Sequence, residues 1–157
     1  MSINNNDQQK IEKVFIASWD YVSKFYILYY FWDDPEWEEL SEIDLSVLGT
    51  PQNIANHHSR WKWLKPIQGL IAEMQKRGYD RQLRAGQSLH TLILSRSRDY
   101  DLRAGQATVH INLRKEGGMT VSYWEKPDRS IEITTERVEI TPEVEQLLAR
   151  LLAQPID

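Results

Sequence analysis

Cysteine is absent from the 157 residues of this chain, which excludes disulfides, thiolate metal ligands and a cysteine nucleophile. A chain without disulfides is typical of a reducing cytoplasm. The first nine residues carry no Lys or Arg and no apolar core, so they lack the features of a secretory signal peptide. The longest apolar run is residues 25–32, far short of the roughly 20 residues that cross a bilayer. We therefore expect a cytoplasmic protein without a membrane span.

Sequence motifs that mark common catalytic and nucleotide-binding sites are also missing. The chain has no Gly-x-Ser-x-Gly elbow, no Walker loop and no dinucleotide fingerprint. His57 and His58 are adjacent, so on a helix they would diverge by about 100°. His90 and His110 could become neighbours across two strands, but no ligand spacing indicates a metal there. We predict no metal, no cofactor and no catalytic residues. The sequence favours a non-catalytic protein while leaving an enzyme open.

Basic residues are missing from residues 33–44, which contain seven acidic residues and directly follow the aromatic run at 25–32. At protein interfaces rings supply affinity, whereas carboxylates orient a basic partner and accelerate its association. The junction is therefore predicted to dock a protein partner or a second copy of the chain. The alternative is that the rings belong to the core and the acids begin a solvated helix. The predicted docking residues are Tyr29, Tyr30, Trp32, Asp33, Asp34 and Trp37.

Arginine is concentrated in a different part of the chain. Residues 77–103 contain six Arg and three Asp. The second functional hypothesis is nucleic-acid binding by an arginine-rich sheet face, with Tyr100 or Trp124 stacking on bases. A net charge of −4 gives no long-range attraction to nucleic acid, so protein docking is preferred. The residues of this alternative anion-binding face are Arg84, Arg96, Arg98 and Arg103.

Two further segments have both a structural and a functional interpretation. Residues 83–87 recur letter for letter as residues 102–106. The preferred interpretation is a pair of equivalent turns in which glycine supplies the backbone angle; the functional one is that Arg84 and Arg103 bind an anion side by side. In residues 57–63, Trp61 and Trp63 alternate with basic residues. Packing of an indole into the core is preferred over stacking on bases.

The pattern of apolar residues predicts one α+β domain. A disordered tail at 1–6 precedes a mainly helical part at 7–78, an antiparallel meander of four to five strands at 79–140 and a C-terminal helix at 141–154 packed on one face. Apolar residues recur at spacings of three and four in the helices expected at about 7–32, 67–76 and from 142. Two further helices are expected at 35–43 and about 51–63, because Asp34-Pro35 and Thr50-Pro51 are good N-cap and first-turn pairs. Residues 25–32 are also compatible with a strand.

The strands follow from alternation of apolar and polar residues. They are expected at 88–96, 108–113, 119–123 and 131–140, the last with a bulge. Gly117 and Gly118 are expected to form the tight turn of a hairpin. Leu92, Ile93 and Leu94 form a solid apolar run, which is typical of a central strand covered on both faces.

Overall fold

The computed structural model of the protein describes residues 4–32, 57, 59–99, 105–126 and 129–157. The architecture is α+β, with a long N-terminal helix, a five-stranded antiparallel sheet and a C-terminal helix. This confirms the predicted class and the predicted meander. The helix expected at 35–43 lies outside the described residues, and so do residues 51–56 and 58 of the helix expected at 51–63, of which residues 57 and 59–61 are helical.

The N-terminal helix, α1, spans Asn5–Tyr30. The side chain of Asn4 accepts a hydrogen bond from the backbone N–H of Asp7 at 2.8 Å, and asparagine is among the best N-cap residues. The helix therefore starts two residues before the predicted position, and residues 5–6 lie in its first turn rather than in a tail. Because residues 25–30 are helical, the alternative of a strand at 25–32 is wrong. The buried stripe of α1 is Ile11, Phe15, Trp19, Val22, Tyr26 and Tyr30.

The sheet follows chain order, and every strand is antiparallel to its neighbours. Its third and fourth strands are joined through Gly117 and Gly118, which both have positive φ, as the hairpin prediction requires. The strands are β1 (Arg84–Ser88), β2 (Thr91–Ser95), β3 (Thr108–Leu113), β4 (Met119–Lys126) and β5 (Arg129–Thr135).

The predicted strand at 88–96 is interrupted by a turn at residues 89–90. The first copy of the pentapeptide repeat consequently lies in β1, where Gly86 is extended, whereas Gly105 of the second copy has φ 80° in a turn. The two copies are therefore not equivalent turns. In β2, Leu92 and Leu94 are fully buried and Ile93 is only half-buried, so the apolar core covers one face of this strand and not both.

The last predicted strand is also shorter than expected. β5 ends at Thr135, whose hydroxyl donates to the carbonyl of Arg137 at 2.6 Å. This local hydrogen bond closes a bend, as Thr side chains do where they compete with the ladder. Val138 and Ile140 therefore follow the sheet rather than belong to it, although both pack on the core.

Two further α-helices follow in the described residues: α2 spans Pro66–Lys76 and α3 spans Pro142–Leu152. Short 3-10 helices at Lys62–Leu64 and Tyr79–Arg81 lie on either side of α2. The apolar stripes of α2 and α3 are buried, apart from half-buried Leu152. Gly78 has φ 87° after α2, and the Thr141 side chain accepts a hydrogen bond from the Val144 N–H to cap α3. Helices α1, α2 and α3 share one core with alternate residues of the sheet. Within the described ranges, no helix has the length and apolarity that a bilayer span requires.

The long helix also closes one edge of the sheet. The indole N–H of Trp19 donates to the carbonyl of Leu83 at 2.8 Å, and the Ser18 hydroxyl accepts from the Ala85 N–H at 2.9 Å. These bonds occupy backbone groups in and just before the edge strand β1 that would otherwise be open to another chain.

Candidate docking surface

The C-terminal end of α1 lies against residues 61–63 and the β1–β2 turn. The rings of Tyr30 and Trp61 meet edge to face with their centroids 4.6 Å apart, and those of Trp63 and His90 are 5.5 Å apart. The Tyr26 hydroxyl donates to the backbone carbonyl of His90 at 2.9 Å, which fixes the turn on the helix. We call Phe25, Tyr29, Tyr30, Trp61, Trp63 and His90 the ring cluster.

Two adjacent tyrosines of the predicted docking surface have different environments. Tyr29 is 60% exposed, whereas Tyr30 is 3% exposed. The Tyr29 ring stacks on Phe25 with the centroids 5.3 Å apart and the planes 9° apart. Burial, and to a smaller extent the neighbouring phenol of Tyr29, raises the pKa of Tyr30, so the Tyr30 hydroxyl stays protonated. Tyr29 is therefore accessible to a partner, and Tyr30 supports the cluster from inside.

The other predicted docking residues lie farther along the chain. Trp32 is half-buried, and its ring packs on that of His57 with the centroids 4.8 Å apart. Asp33, Asp34 and Trp37 lie outside the described residues. The structure therefore places Tyr29, Tyr30 and Trp32 at one end of α1, with Tyr29 the most exposed of these three.

The two tryptophans of the ring cluster carry their own cations. The guanidinium of Arg60 lies 5.4 Å from the ring centroid of Trp61, and the ammonium of Lys115 lies 5.9 Å from that of Trp63. Both indoles are half-buried against the core, as the preferred interpretation expected. Because Lys115 and His90 join the cluster through tertiary contacts, no local pattern in the sequence could have identified them.

Two residues at the ring cluster carry an energetic cost: Leu89, which precedes His90 in the chain, and Trp63. Leu89 has φ 54° and a side chain that is 76% exposed, although the left-handed region costs a non-glycine residue roughly 1–2 kcal/mol. The indole N–H of Trp63 is shielded from solvent and has no hydrogen-bond partner. Such an unpaired buried group costs about 1–3 kcal/mol. Costs of this kind are found preferentially at functional sites.

The alternative arginine face is largely engaged within the protein. Arg84 donates to the carbonyl of Ser97 at 2.8 Å and to that of Arg98. Arg96 donates to the carbonyl of Gln82 at 3.0 Å. Burial lowers the pKa of Arg84 and of Arg96, and both remain cationic at neutral pH. Arg98 is exposed, and Arg103 lies outside the described residues.

The sheet face opposite the helices is mainly polar. His110 and Ser122 are register partners on this face, and Ser122 lies beside Glu132, to which its hydroxyl donates at 3.4 Å. The ring centroids of His110 and Trp124 lie 6.3 Å apart. Burial lowers the pKa of His110. His110 opposes Ile93 in the register, so His90 and His110 do not meet.

Neither the histidines nor the acids gather into a metal site in the described part of the chain, where no three His, Asp or Glu side chains could share an ion. Comparisons of the chain with protein-family models, with curated proteins and with solved structures gave no match.

Proposed function

We propose that this protein is a non-catalytic binding protein that docks a basic segment of a protein partner beside the ring cluster. The observation that carries the proposal is the 60% exposure of Tyr29, a large ring at the end of a helix. Its stack on Phe25 holds it in one orientation, so little side-chain entropy is lost when a partner covers it. Tyrosine in such a position is typical of interface anchors.

The charge of the adjacent sequence supports a basic partner. Seven acidic residues and no basic residue occupy positions 33–44, which begin three residues after the last residue of α1. Carboxylates next to an aromatic anchor favour Lys- and Arg-containing segments and raise the rate of encounter. Trp61 and Trp63 already face Arg60 and Lys115. The accessible apolar groups for the partner are therefore Tyr29 and Leu89, which precedes His90 in the β1–β2 turn.

The energetic costs near Leu89 and Trp63 also support binding at this surface. A left-handed leucine whose side chain points into solvent contributes little to the stability of the free protein. Retaining it is reasonable if the leucine contacts a partner. The nucleic-acid alternative has less support, because Arg84 and Arg96 donate to backbone carbonyls.

The test is selection from a displayed peptide library against the intact chain. We expect the selected peptides to combine an apolar residue with Lys or Arg. Their affinity for Tyr29→Ala should fall by about tenfold or more, as for an interface anchor. Ile131→Ala is the control, because Ile131 is also an exposed apolar residue but lies in β5, outside the ring cluster and outside α1.

Two results would overturn the proposal. The first is a selection that yields no basic peptide, and the second is equal loss of affinity in Tyr29→Ala and Ile131→Ala. Titration with mixed-sequence DNA and RNA at low salt tests the alternative function. Binding to these that is lost in Arg98→Ala would favour the arginine face instead.

A further inference from the structure

The outward face of α1 carries a straight row of exposed apolar side chains. Val14, Tyr21 and Leu28 are 45%, 63% and 49% exposed, and seven residues separate each from the next. Of the six large apolar side chains that are exposed in the described ranges, four belong to α1. A seven-residue spacing keeps side chains on one side of a helix, and it is the spacing by which one helix packs on another.

Small and charged residues fill the row between these three. Ala17 and Lys24 are exposed and continue the alternating spacing of three and four, so Val14, Ala17, Tyr21, Lys24 and Leu28 form what we call the α1 stripe. Tyr29 is one residue beyond Leu28 and therefore points about 100° away. The α1 stripe and the proposed docking surface thus lie on different sides of the helix.

A hollow of about 100 Å³ lies at the N-terminal end of the α1 stripe, lined by Lys10, Ile11, Val14, Phe15 and Arg98. Ile11 and Phe15 are buried, so its floor is apolar. Val14 and Leu28 lie seven residues on either side of Tyr21, which is about 10 Å along the helix in each direction. A two-fold axis at Tyr21 would therefore bring Leu28 of each copy to the hollow of the other.

The charged side chains of this face fit the same arrangement. Asp20 and Lys24 are exposed, and neither forms an ion pair with any other described residue. When two α1 helices run antiparallel about Tyr21, Asp20 and the partner's Lys24 differ in height by only about 3 Å. A parallel pair would instead place Lys24 near the partner's Lys24. Charge complementarity therefore selects the antiparallel pair.

We propose that a second copy of this chain covers the α1 stripe in an antiparallel, two-fold symmetric homodimer. Tyr21 packs on the partner's Tyr21, Leu28 enters the partner's hollow beside Val14, and Asp20 pairs with the partner's Lys24. Such an isologous contact buries the same patch on both copies and closes on itself. This inference does not rest on the proposed function, since it concerns another side of α1.

Sedimentation velocity of the intact chain over a range of concentrations tests the dimer. The wild type should sediment as a dimer and Leu28→Lys as a monomer, whereas Leu89→Lys, which changes an exposed leucine elsewhere, should remain dimeric. Asp20→Lys and Lys24→Asp should each weaken association by about tenfold or more, and the double exchange D20K/K24D should restore it. Far-UV circular dichroism checks that every variant is folded.

The absence of cysteine allows a second test of the orientation. Tyr21→Cys alone should form a disulfide-linked dimer on oxidation. Val14→Cys and Leu28→Cys should cross-link efficiently only when the two variants are mixed. Efficient cross-linking of Val14→Cys with itself would overturn the antiparallel pairing, and a wild type that remains monomeric at all concentrations would overturn the dimer. Tyr29→Ala should stay dimeric, so failure of the docking proposal is separate from failure of this one.

Discussion

At the scale of single residues, Leu89 links backbone strain to the proposed docking surface. It is the only non-glycine with positive φ in the described part of the chain, at 54°. Its side chain makes little contact with the core because it is 76% exposed. Leucine at this position therefore carries a conformational cost without the usual compensation from burial.

Leu89→Gly should make the free protein more stable and the complex weaker. Glycine tolerates the left-handed region, and this gain exceeds the extra entropy that glycine adds to the unfolded chain. We expect a net increase of up to about 1 kcal/mol in the free energy of unfolding. Urea titration measures it, and affinity for the selected peptides should fall in parallel.

Leu89→Ala separates the two effects, because alanine removes the side chain and keeps the strained backbone. This variant should lose affinity without gaining stability. A destabilised Leu89→Gly variant would show that the leucine side chain supports the fold, and it would remove one of the arguments for docking at this turn.

At the scale of elements, α2 contains a glycine that no packing constraint requires. Gly69 lies inside the helix, is exposed, and a methyl group added there would meet no atom within 4 Å. Glycine in a helix interior costs roughly 0.5–1 kcal/mol relative to alanine. Gly69→Ala should therefore raise the free energy of unfolding by that amount, measured by urea titration.

Gly78 is the matched control, since it also has no neighbour within 4 Å of an added methyl group. Its φ of 87° lies in the left-handed region, so Gly78→Ala should destabilise the protein. Opposite signs for the same substitution would show that backbone conformation alone determines the effect. If both variants changed the free energy of unfolding in the same direction, backbone conformation would not explain the roles of Gly69 in α2 and Gly78 at its C-terminal end.

Elements whose own sequence encodes their burial could be predicted. α2 and α3 each bury an apolar stripe at helical spacing, and the β3–β4 hairpin has alternating residues joined by Gly117 and Gly118. β1 could not, because Ala85 is its only buried residue. Its place depends on the bond from Trp19 to Leu83, which are 64 residues apart. The conformation of the repeated pentapeptide could not be predicted for the same reason. Tertiary contacts determine whether its glycine lies in an extended strand or in a turn.

The candidate docking surface could also be predicted only in part. The density of rings near the end of α1 is visible in the sequence, but which ring faces solvent is not, because Tyr29 and Tyr30 differ only in the side of the helix they occupy. The recruitment of Trp63, His90 and Lys115 depends on how residues 61–63 and two β-turns meet. Such distant contacts have no periodic signal in a single sequence.

At the scale of the whole molecule, the core is one continuous cluster that joins α1, α2, the sheet and α3. Leu148 of α3 and Trp19 of α1 belong to it, and both are fully buried. When elements share one core, removing a contact at one end lowers the stability of the other end by the same amount. A destabilising substitution in α3 should therefore also lower the stability of α1.

Leu148→Ala tests this coupling. The cavity and the lost burial should lower the free energy of unfolding by about 2–5 kcal/mol. Urea titrations followed by tryptophan fluorescence and by far-UV circular dichroism should move to the same new midpoint, since one continuous core is expected to unfold in one step. Protein concentration is held constant, since a dimer is stabilised by mass action.

Leu152→Ala is the control. Leu152 lies four residues later and is only half-buried, so its replacement should lower the free energy of unfolding by less. Two separated transitions in Leu148→Ala would instead show that α3 unfolds independently of α1, and the continuous core would then not act as one cooperative unit.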